Sequence, residues 1–212
     1  ACGNAGEAGR PDVAIEQQGG PPQDQSAIDR GKYLASVGGC HDCHTPFKPG
    51  PQGPEPDTAR LLAGHPQEVR VPRPPALVSP WLWVGAATNT AFAGPWGVTY
   101  ATNLTPDSET GIGSWSEQVF VNALKTGRHM GVGRPILPPM PWQGYSMMTD
   151  EDLKALFAYL QSVEPRKNLV PDAELAPPPG RPETPPTSIA TPGLAPAPDS
   201  RPPTPPSGPL EP

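Results

Sequence analysis

The stretch Gly38-Gly39-Cys40-His41-Asp42-Cys43-His44 carries two thiols three positions apart and a histidine directly after the second thiol. Three chemistries use such a pair of thiols. A thioredoxin-like redox pair requires a strand before a helix and has no use for His44. A structural zinc site requires four ligands, and the one other cysteine is Cys2, in a flank rich in Gly, Gln and Pro. The third chemistry, covalent attachment of a haem, uses both thiols and the histidine.

The C-x-x-C-H spacing has a mechanical reason. Two thiols three positions apart reach the two vinyl groups at one edge of a haem, and the adjacent histidine then lies under the iron as the proximal ligand. We therefore predict a single covalent haem c held by Cys40 and Cys43, with His44 as a metal ligand. Because this attachment takes place outside the cytoplasm, the motif predicts an exported protein, on the periplasmic or cell-surface side of a bacterial membrane.

A haem c iron in an electron-transfer protein commonly takes a methionine as its second axial ligand. Met140 lies in Pro138-Pro139-Met140-Pro141-Trp142, where the prolines stiffen an extended loop without helical hydrogen bonds. Such a loop can present a thioether at one point, as a weak ligand requires, so Met140 is the favoured sixth ligand. An open sixth position is one alternative. The other candidate ligands are Met130, Met147, Met148, His65 and His129.

Three segments show the apolar spacing of amphipathic helices. They cover residues 26–37, about 116–125 and 150 to near 165. Ser26 is the candidate cap of the first helix, and Gly38-Gly39 ends it before the cysteine motif. Thr149 is the candidate cap of the third, which has an acidic first turn. These helices predict an all-α fold with long loops.

Proline and glycine are abundant, with 36 and 23 of the 212 residues, and only 35% of the chain is hydrophobic. The aromatic residues, however, are confined to the stretch from Tyr33 to Tyr159. We therefore expect one domain over residues 26–170, between a flexible tether at 1–25 and a Pro-rich disordered tail at 171–212. Within the domain, residues 74–106 carry no charged side chain and are interpreted as a long loop or pair of loops.

The formal net charge of −6 comes from the two flanks, because residues 26–170 contain equal numbers of acidic and basic side chains. A neutral domain lacks the basic surface that nucleic acid binding requires, so no nucleic acid partner is expected. No apolar run reaches the length of about 18 residues that a spanning helix needs.

The sequence begins Ala1-Cys2-Gly3-Asn4, which looks like the end of a bacterial lipobox. Cys2 is the odd thiol once Cys40 and Cys43 are assigned to the haem. We therefore expect Cys2 to be lipidated and to anchor the protein to a membrane, with residues 3–25 as the tether. The alternative is an ordinary free cysteine.

Several of these motifs together resemble the class I (monohaem) cytochrome c domain. The matching motifs are Gly31-x-Tyr33-Leu34, Cys40-x-x-Cys43-His44, Met140-Pro141, Thr149-Asp150-Glu151-Asp152-Leu153 and Ala158-Tyr159-Leu160. The resemblance implies that His44 and Met140 are the axial ligands. It also implies that the first and last helices cross, with Gly31 against an aromatic residue of the last helix, either Phe157 or Tyr159.

A second set of motifs is similar to the cytochrome domains found beside bacterial membrane-bound and periplasmic dehydrogenases. These motifs are Arg60-Leu61-Leu62-Ala63-Gly64-His65-Pro66, Asn103-Leu104-Thr105-Pro106-Asp107, Thr110-Gly111-Ile112-Gly113 and Trp115. In some relatives a tryptophan donates its indole N–H to a haem propionate, and Trp115 is the candidate for that role, with an ordinary core position as the alternative. Asn103 and Arg134 are weaker candidates.

The resemblance implies electron transfer rather than catalysis. The expected partners are redox proteins: a dehydrogenase as donor, and an oxidase, a reductase or a photosynthetic reaction centre as acceptor. Two other functions remain open at this point. One is a haem enzyme or gas sensor with an open sixth position, and the other is a cytochrome subunit of a larger dehydrogenase or respiratory complex.

Overall fold

The structure is a computed structural model that describes residues 24–72 and 80–176. The helices of this part are α1 (Gln25–Val37), α2 (Cys40–His44), α3 (Glu117–Thr126), α4 (Trp142–Tyr145) and α5 (Asp150–Ser162). Its strands are β1 (Phe47–Gly50), β2 (Gly53–Pro56), β3 (Val84–Gly85), β4 (Ala91–Gly94), β5 (Gly97–Tyr100) and β6 (Glu174–Leu175). Short 3-10 turns lie at Thr58–Arg60 and His129–Gly131.

Two predicted features lie outside the described residues. The chain divides into two units, Ala1–Ala176 and Pro177–Pro212, and the second of these is not among the residues described. Cys2 and most of the predicted tether also fall outside them. Among the helices of residues 24–72 and 80–176, none has the length and apolar character needed to cross a bilayer.

The predicted contact between the first and last helices is confirmed, because α1 packs against α5 at Gly31. A methyl group at this position would overlap the carbonyl oxygen of Ala155 and lie 2.7 Å from Cβ of Tyr159. Tyr159 is therefore the aromatic residue at the crossing, whereas Phe157 packs against Phe120 of α3 with ring centroids 5.2 Å apart. Tyr33, on α1, is 58% exposed and lies away from the crossing.

The boundaries of α1 and α3 differ from the predicted ones by one residue, and α5 ends at Ser162, about three residues before the predicted end near 165. Helix α1 begins one residue early because the Asp24 carboxylate, not Ser26, is the cap and accepts the backbone N–H of Ser26 at 2.9 Å. Helix α3 is capped by Ser116, and Gly127 in the left-handed conformation (φ 65°) ends it. The Thr149 cap of α5 is confirmed, since its hydroxyl accepts the backbone N–H of Asp152 at 3.1 Å.

The structure contains strands that the all-α prediction did not include, although helices α1, α3 and α5 still supply most of the buried core. Strands β3, β4, β5 and β6 form an antiparallel sheet in that order, and β1 pairs with β2 in a separate hairpin. Three strands of the sheet lie in the uncharged segment 74–106, where the sequence predicts a long loop or pair of loops. Two of these strands are buried on both faces, at Ala91–Ala93 and Gly97–Thr99. They therefore lack the alternation of apolar and polar residues that marks a half-exposed strand.

The chain after α5 returns across the domain and joins the sheet. Strand β6 pairs with β5 at Gly97 and Val98. The backbone N–H of Ala176 also donates to the carbonyl of Trp96 at 2.8 Å. The described structure of the domain therefore continues past residue 170, where the predicted tail begins. We call residues 168–176 the C-terminal strap.

Candidate haem site

A cavity of about 510 Å³ lies between the helices and the sheet, within the range of roughly 300–1,000 Å³ typical of ligand and cofactor sites. The five residues predicted from sequence to contact a haem all line it. They are Cys40 and Cys43 from α2, His44 from its last position, Trp115 from the loop before α3, and Met140 from the loop before α4. The tertiary structure thus brings these separate segments to one place.

The two thiols lie on the short helix α2, which begins after Gly39 in the left-handed conformation (φ 69°). Cys40 and Cys43 are not joined by a disulfide. Burial raises the pKa of Cys40 to about 11 and also raises the pKa of Cys43. A redox-active pair requires a lowered pKa, because the thiolate is the nucleophile. The raised pKa values of the two thiols therefore disfavour the thioredoxin-like alternative.

His44 is held in the form that can bind a metal. Its Nδ1 lies 2.7 Å from the carbonyl oxygen of Thr102, and because that oxygen can only accept, Nδ1 must carry the proton. Burial is the main cause that lowers the pKa of His44, so the ring is neutral and Nε2 retains a lone pair. The carbonyl of His44 also accepts the backbone N–H of Gly64 at 2.8 Å. These contacts orient the ring as a metal ligand requires.

Met140 is fixed by contacts on both sides of its loop. Before it, the hydroxyl of Thr99 on β5 donates to the carbonyl of Pro138 at 2.7 Å. After it, the backbone N–H of Trp142 donates to the carbonyl of Met140 at 2.9 Å. Trp142 in turn packs over Gly127 at the end of α3. Met140 itself is partly buried against the hydrophobic core.

The alternative ligands are less well placed. Met147 is 84% exposed, and Met148 packs against the core. His65 is fully buried, with Nδ1 at 2.8 Å from the Thr90 hydroxyl and Nε2 at 3.0 Å from the Val69 carbonyl, so both ring nitrogens have partners. Met140 is the one methionine among the described residues that line the cavity, although His129 lines it as well.

Trp115 lies in the loop before α3 and packs, partly buried, against the hydrophobic core. Its ring meets that of His129 edge to face, with centroids 5.2 Å apart. His129 and Arg134, which follow α3, also line the cavity. Asn103 lines the cavity as well, but its buried amide nitrogen donates to the carbonyl of Arg166 at 2.7 Å and so already has a structural partner.

Sequence reasoning missed several parts of the site. Tyr145 of α4 lines the cavity and donates its hydroxyl to the carbonyl of Gly38, just before the attachment motif. Leu169–Ala173 of the C-terminal strap form another part of the wall. The sequence signal for Tyr145 was its place five residues after Met140, in a short stretch that also contains Trp142. No signal marked the Thr102 carbonyl or the strap, because their roles depend on contacts between distant segments.

The donor set fits a covalently attached haem. Two protonated thiols on one turn are available for thioether bonds, a neutral imidazole has a free nitrogen, and a thioether lies on a fixed loop. The remaining wall is largely apolar, with Phe92, Ile112, Phe120 and Leu124 among its residues. An apolar wall excludes water from an iron and suits a flat hydrophobic ring.

Several known proteins with sequences similar to this chain are named as cytochrome subunits of dehydrogenases. The chain is 31% identical over 136 residues to the fructose dehydrogenase cytochrome subunit of Gluconobacter japonicus, covering 64% of this chain and 21% of that protein. It is 32% identical over 132 residues to the gluconate 2-dehydrogenase cytochrome c subunit of Pantoea cypripedii, covering 62% of this chain and 22% of that protein. The matched part is homologous to cytochrome c subunits of bacterial dehydrogenases.

A further relative is a nicotinate dehydrogenase subunit of Pseudomonas putida, which is 31% identical over 144 residues. The match covers 68% of this chain but 9% of that protein. The chain thus spans less than a quarter of the length of these three relatives. No protein-family model matches the chain.

Proposed function

We propose that residues 26–176 form an electron carrier with one covalent haem c, rather than an enzyme. The observation that carries the proposal is the shared cavity of Cys40, Cys43, His44 and Met140. When bound there, a haem supplies an iron that alternates between the ferrous and ferric states. Electron transfer needs no substrate pocket and no general base, and the candidate residues supply neither.

The residues of the site would have separate roles. Cys40 and Cys43 hold the haem through thioether bonds, so it remains bound in both oxidation states. His44, oriented by the Thr102 carbonyl, and Met140, held by the Thr99 and Trp142 contacts, would be the two protein ligands of the iron. Ligation by histidine and methionine favours a relatively high reduction potential. An iron held by both residues would have no free position for a substrate.

The proposed electron donor is a dehydrogenase. The names of the relatives support this, because the fructose and gluconate 2-dehydrogenase proteins are cytochrome subunits of such enzymes. Covalent haem attachment outside the cytoplasm supports export of the protein. As part of the same proposal, Cys2 is lipidated and anchors the protein to a membrane. Mass spectrometry of the native protein tests whether Cys2 carries the lipid.

The test of the function is an optical spectrum of the ferric and ferrous protein together with a redox titration. We expect a c-type spectrum that survives denaturation and acid extraction, because the haem is covalent. We also expect the long-wavelength sulfur-to-iron band of a methionine-ligated ferric haem. Met140→Ala should abolish that band and lower the potential while leaving the haem content unchanged, since both thiols remain.

Met147→Ala is the matched control, because Met147 is 84% exposed and does not line the cavity. Persistence of the band in Met140→Ala would remove Met140 as the ligand. A wild-type protein that lacks the band and readily binds carbon monoxide in the ferrous state would instead be a haem enzyme or gas sensor. A wild-type protein without covalent haem would refute the proposal altogether.

The partner is tested separately by purifying the protein from its native membrane and identifying the subunits that co-elute. A co-eluting dehydrogenase whose substrate reduces the haem is the expected result. If the haem is not reduced when the dehydrogenase oxidises its substrate, the dehydrogenase is not the electron donor. The proposal that this protein carries electrons would still stand.

A further inference from the structure

The C-terminal end of α2, where His44 lies, leaves backbone carbonyls without partners in the helix, as every helix end does. A helix of five residues is too short to be stable by itself, so its end depends on contacts from other segments. The carbonyl of His41 accepts the backbone N–H of Thr45 at 3.0 Å. The carbonyl of Asp42 accepts the side-chain amide of Asn89 at 2.7 Å, although the two residues are 47 positions apart. Among the residues that the structure describes, Asn89 is the one side chain that donates to a backbone carbonyl of α2.

Asn89 belongs to a turn between β3 and β4, residues 86–90, which we call the clamp turn. The turn contacts the chain a second time, because the carbonyl of Thr88 accepts the backbone N–H of Phe47 at 2.9 Å. One contact therefore lies two residues before His44 and the other lies three residues after it. The clamp turn thus holds the chain on both sides of the proposed iron ligand.

The backbone of the clamp turn has a conformation that suits asparagine. Asn89 has a φ of 52°, in the left-handed region that most residues avoid and that glycine, asparagine and aspartate tolerate. Its backbone N–H donates to the carbonyl of Ala86 at 2.8 Å, and the N–H of Ala86 donates to the carbonyl of Ala91 at 2.8 Å. These two bonds close the turn at its base, so the backbone that carries the Asn89 amide is held in place.

The clamp turn is also fixed to the interior of the domain through Thr90. Thr90 is fully buried, and its hydroxyl oxygen lies 2.8 Å from Nδ1 of His65 and 2.9 Å from the hydroxyl oxygen of Thr88. Its carbonyl accepts the backbone N–H of Ala101 at 2.8 Å. The turn therefore keeps a fixed place relative to the core, and the Asn89 contact extends that restraint to the end of α2.

We propose that Asn89 is a positioning residue for His44, because its amide caps the C-terminal end of α2 and so fixes the orientation of the imidazole in the cavity. This inference rests on the proposed haem site and adds a residue that acts on the iron ligand from outside it, since neither Asn89 nor Asp42 lines the cavity. The Thr102 carbonyl holds the ring itself, whereas Asn89 holds the backbone that carries the ring. Loss of the amide leaves the end of α2 freer to move, and the His44 ring moves with it.

The test compares two variants of the full haem-loaded chain with the wild type. Asn89→Gly removes the amide while glycine keeps the left-handed conformation without strain, and Asn89→Asp keeps the shape but presents a carboxylate, which can only accept. In both variants we expect changed shifts of the haem methyl signals in the proton NMR spectrum of the ferric protein, because these shifts depend on the orientation of the axial imidazole. Amide hydrogen exchange of Thr45 and Phe47 should be about 2–10 times faster, the factor that corresponds to one ordinary hydrogen bond.

Ala87→Gly is the matched control, because Ala87 is an exposed residue of the same turn and glycine there loosens the backbone without removing the amide. It should leave the haem methyl shifts unchanged, and all three variants should keep the haem content and the sulfur-to-iron band of the wild type. The proposal is overturned if Asn89→Gly has the methyl shifts of the wild type, or if Ala87→Gly changes them as much as Asn89→Gly does. Failure of the wild-type chain to bind haem would instead refute the proposed function, so the two failures are distinguishable.

Discussion

Gly31 lies at the contact of α1 with α5, where no space remains for a side chain. In Gly31→Ala the new methyl group would overlap the Ala155 carbonyl and crowd Tyr159. Helix α1 must then move away from α5, which carries several core residues including Leu153 and Leu156. We expect the free energy of unfolding to fall by about 1–3 kcal/mol or more, as overpacking usually costs, measured by denaturant unfolding of the haem-loaded protein.

Gly144→Ala is the control at the residue scale, because a methyl group on Gly144 of α4 meets no atom within 4 Å. Alanine has the higher helix propensity, so this change should cost nothing and should stabilise by at most about 1 kcal/mol. Equal effects of the two substitutions would show that the close approach at Gly31 does not limit the helix contact.

At the scale of elements, Asn168 joins the C-terminal strap to the segment of residues 63–67. Its buried amide nitrogen lies 2.6 Å from the carbonyl of Ala63 and 2.9 Å from that of His65, and its Oδ1 accepts the backbone N–H of Gln67 at 3.0 Å. Asn168→Ala leaves these groups without partners, at a cost of about 1–3 kcal/mol for a buried group. We expect faster amide hydrogen exchange in residues 61–69 and in the C-terminal strap.

Asn122→Ala is the matched control, since Asn122 is exposed and its side chain accepts one hydrogen bond, from Gln118 at 2.9 Å. Its effect on stability should stay within about 0.5 kcal/mol. Exchange rates in the strap that do not change in Asn168→Ala would contradict the role of Asn168 as the link between these segments.

At the scale of the whole molecule, the C-terminal strap completes both the cavity and the sheet. Its residues 169–173 line the cavity, and β6 forms the edge of the sheet next to β5. A chain that ends at Ala176 should therefore keep the melting temperature and spectrum of the full chain. A chain that ends at Lys167 should melt several degrees lower, because it loses the Asn168 contacts together with the cavity wall, as differential scanning calorimetry would measure.

The comparison of the two truncated chains contains its own control, because both lack residues 177–212. Equal melting temperatures of the two chains would mean that the strap adds nothing to the stability of the domain. A lower melting temperature for the chain that ends at Ala176 than for the full chain would contradict the assignment of the domain's end to residue 176.

Prediction from sequence was accurate for features that depend on a few neighbouring residues. The Thr149 cap and the apolar spacing of α5 located that helix, and the prolines around Met140 marked a loop that the structure anchors at both ends. Prediction failed for β4 and β5, because short strands that are buried on both faces do not show alternating apolar and polar residues. The proline content of the segment after residue 170 likewise gave no sign that β6 pairs with β5.

The sequence by itself determined the attachment motif, the candidate ligands and the three main helices, since spacing, capping and apolar periodicity are local properties. Only the tertiary structure decided which carbonyl orients His44, that Tyr159 meets Gly31, and that the strap closes the cavity. It also paired the backbone N–H of His129 with the carbonyl of Arg134 beside the cavity. These features depend on contacts between chain segments or on turn geometry, and their energies become available only when the core brings the segments together.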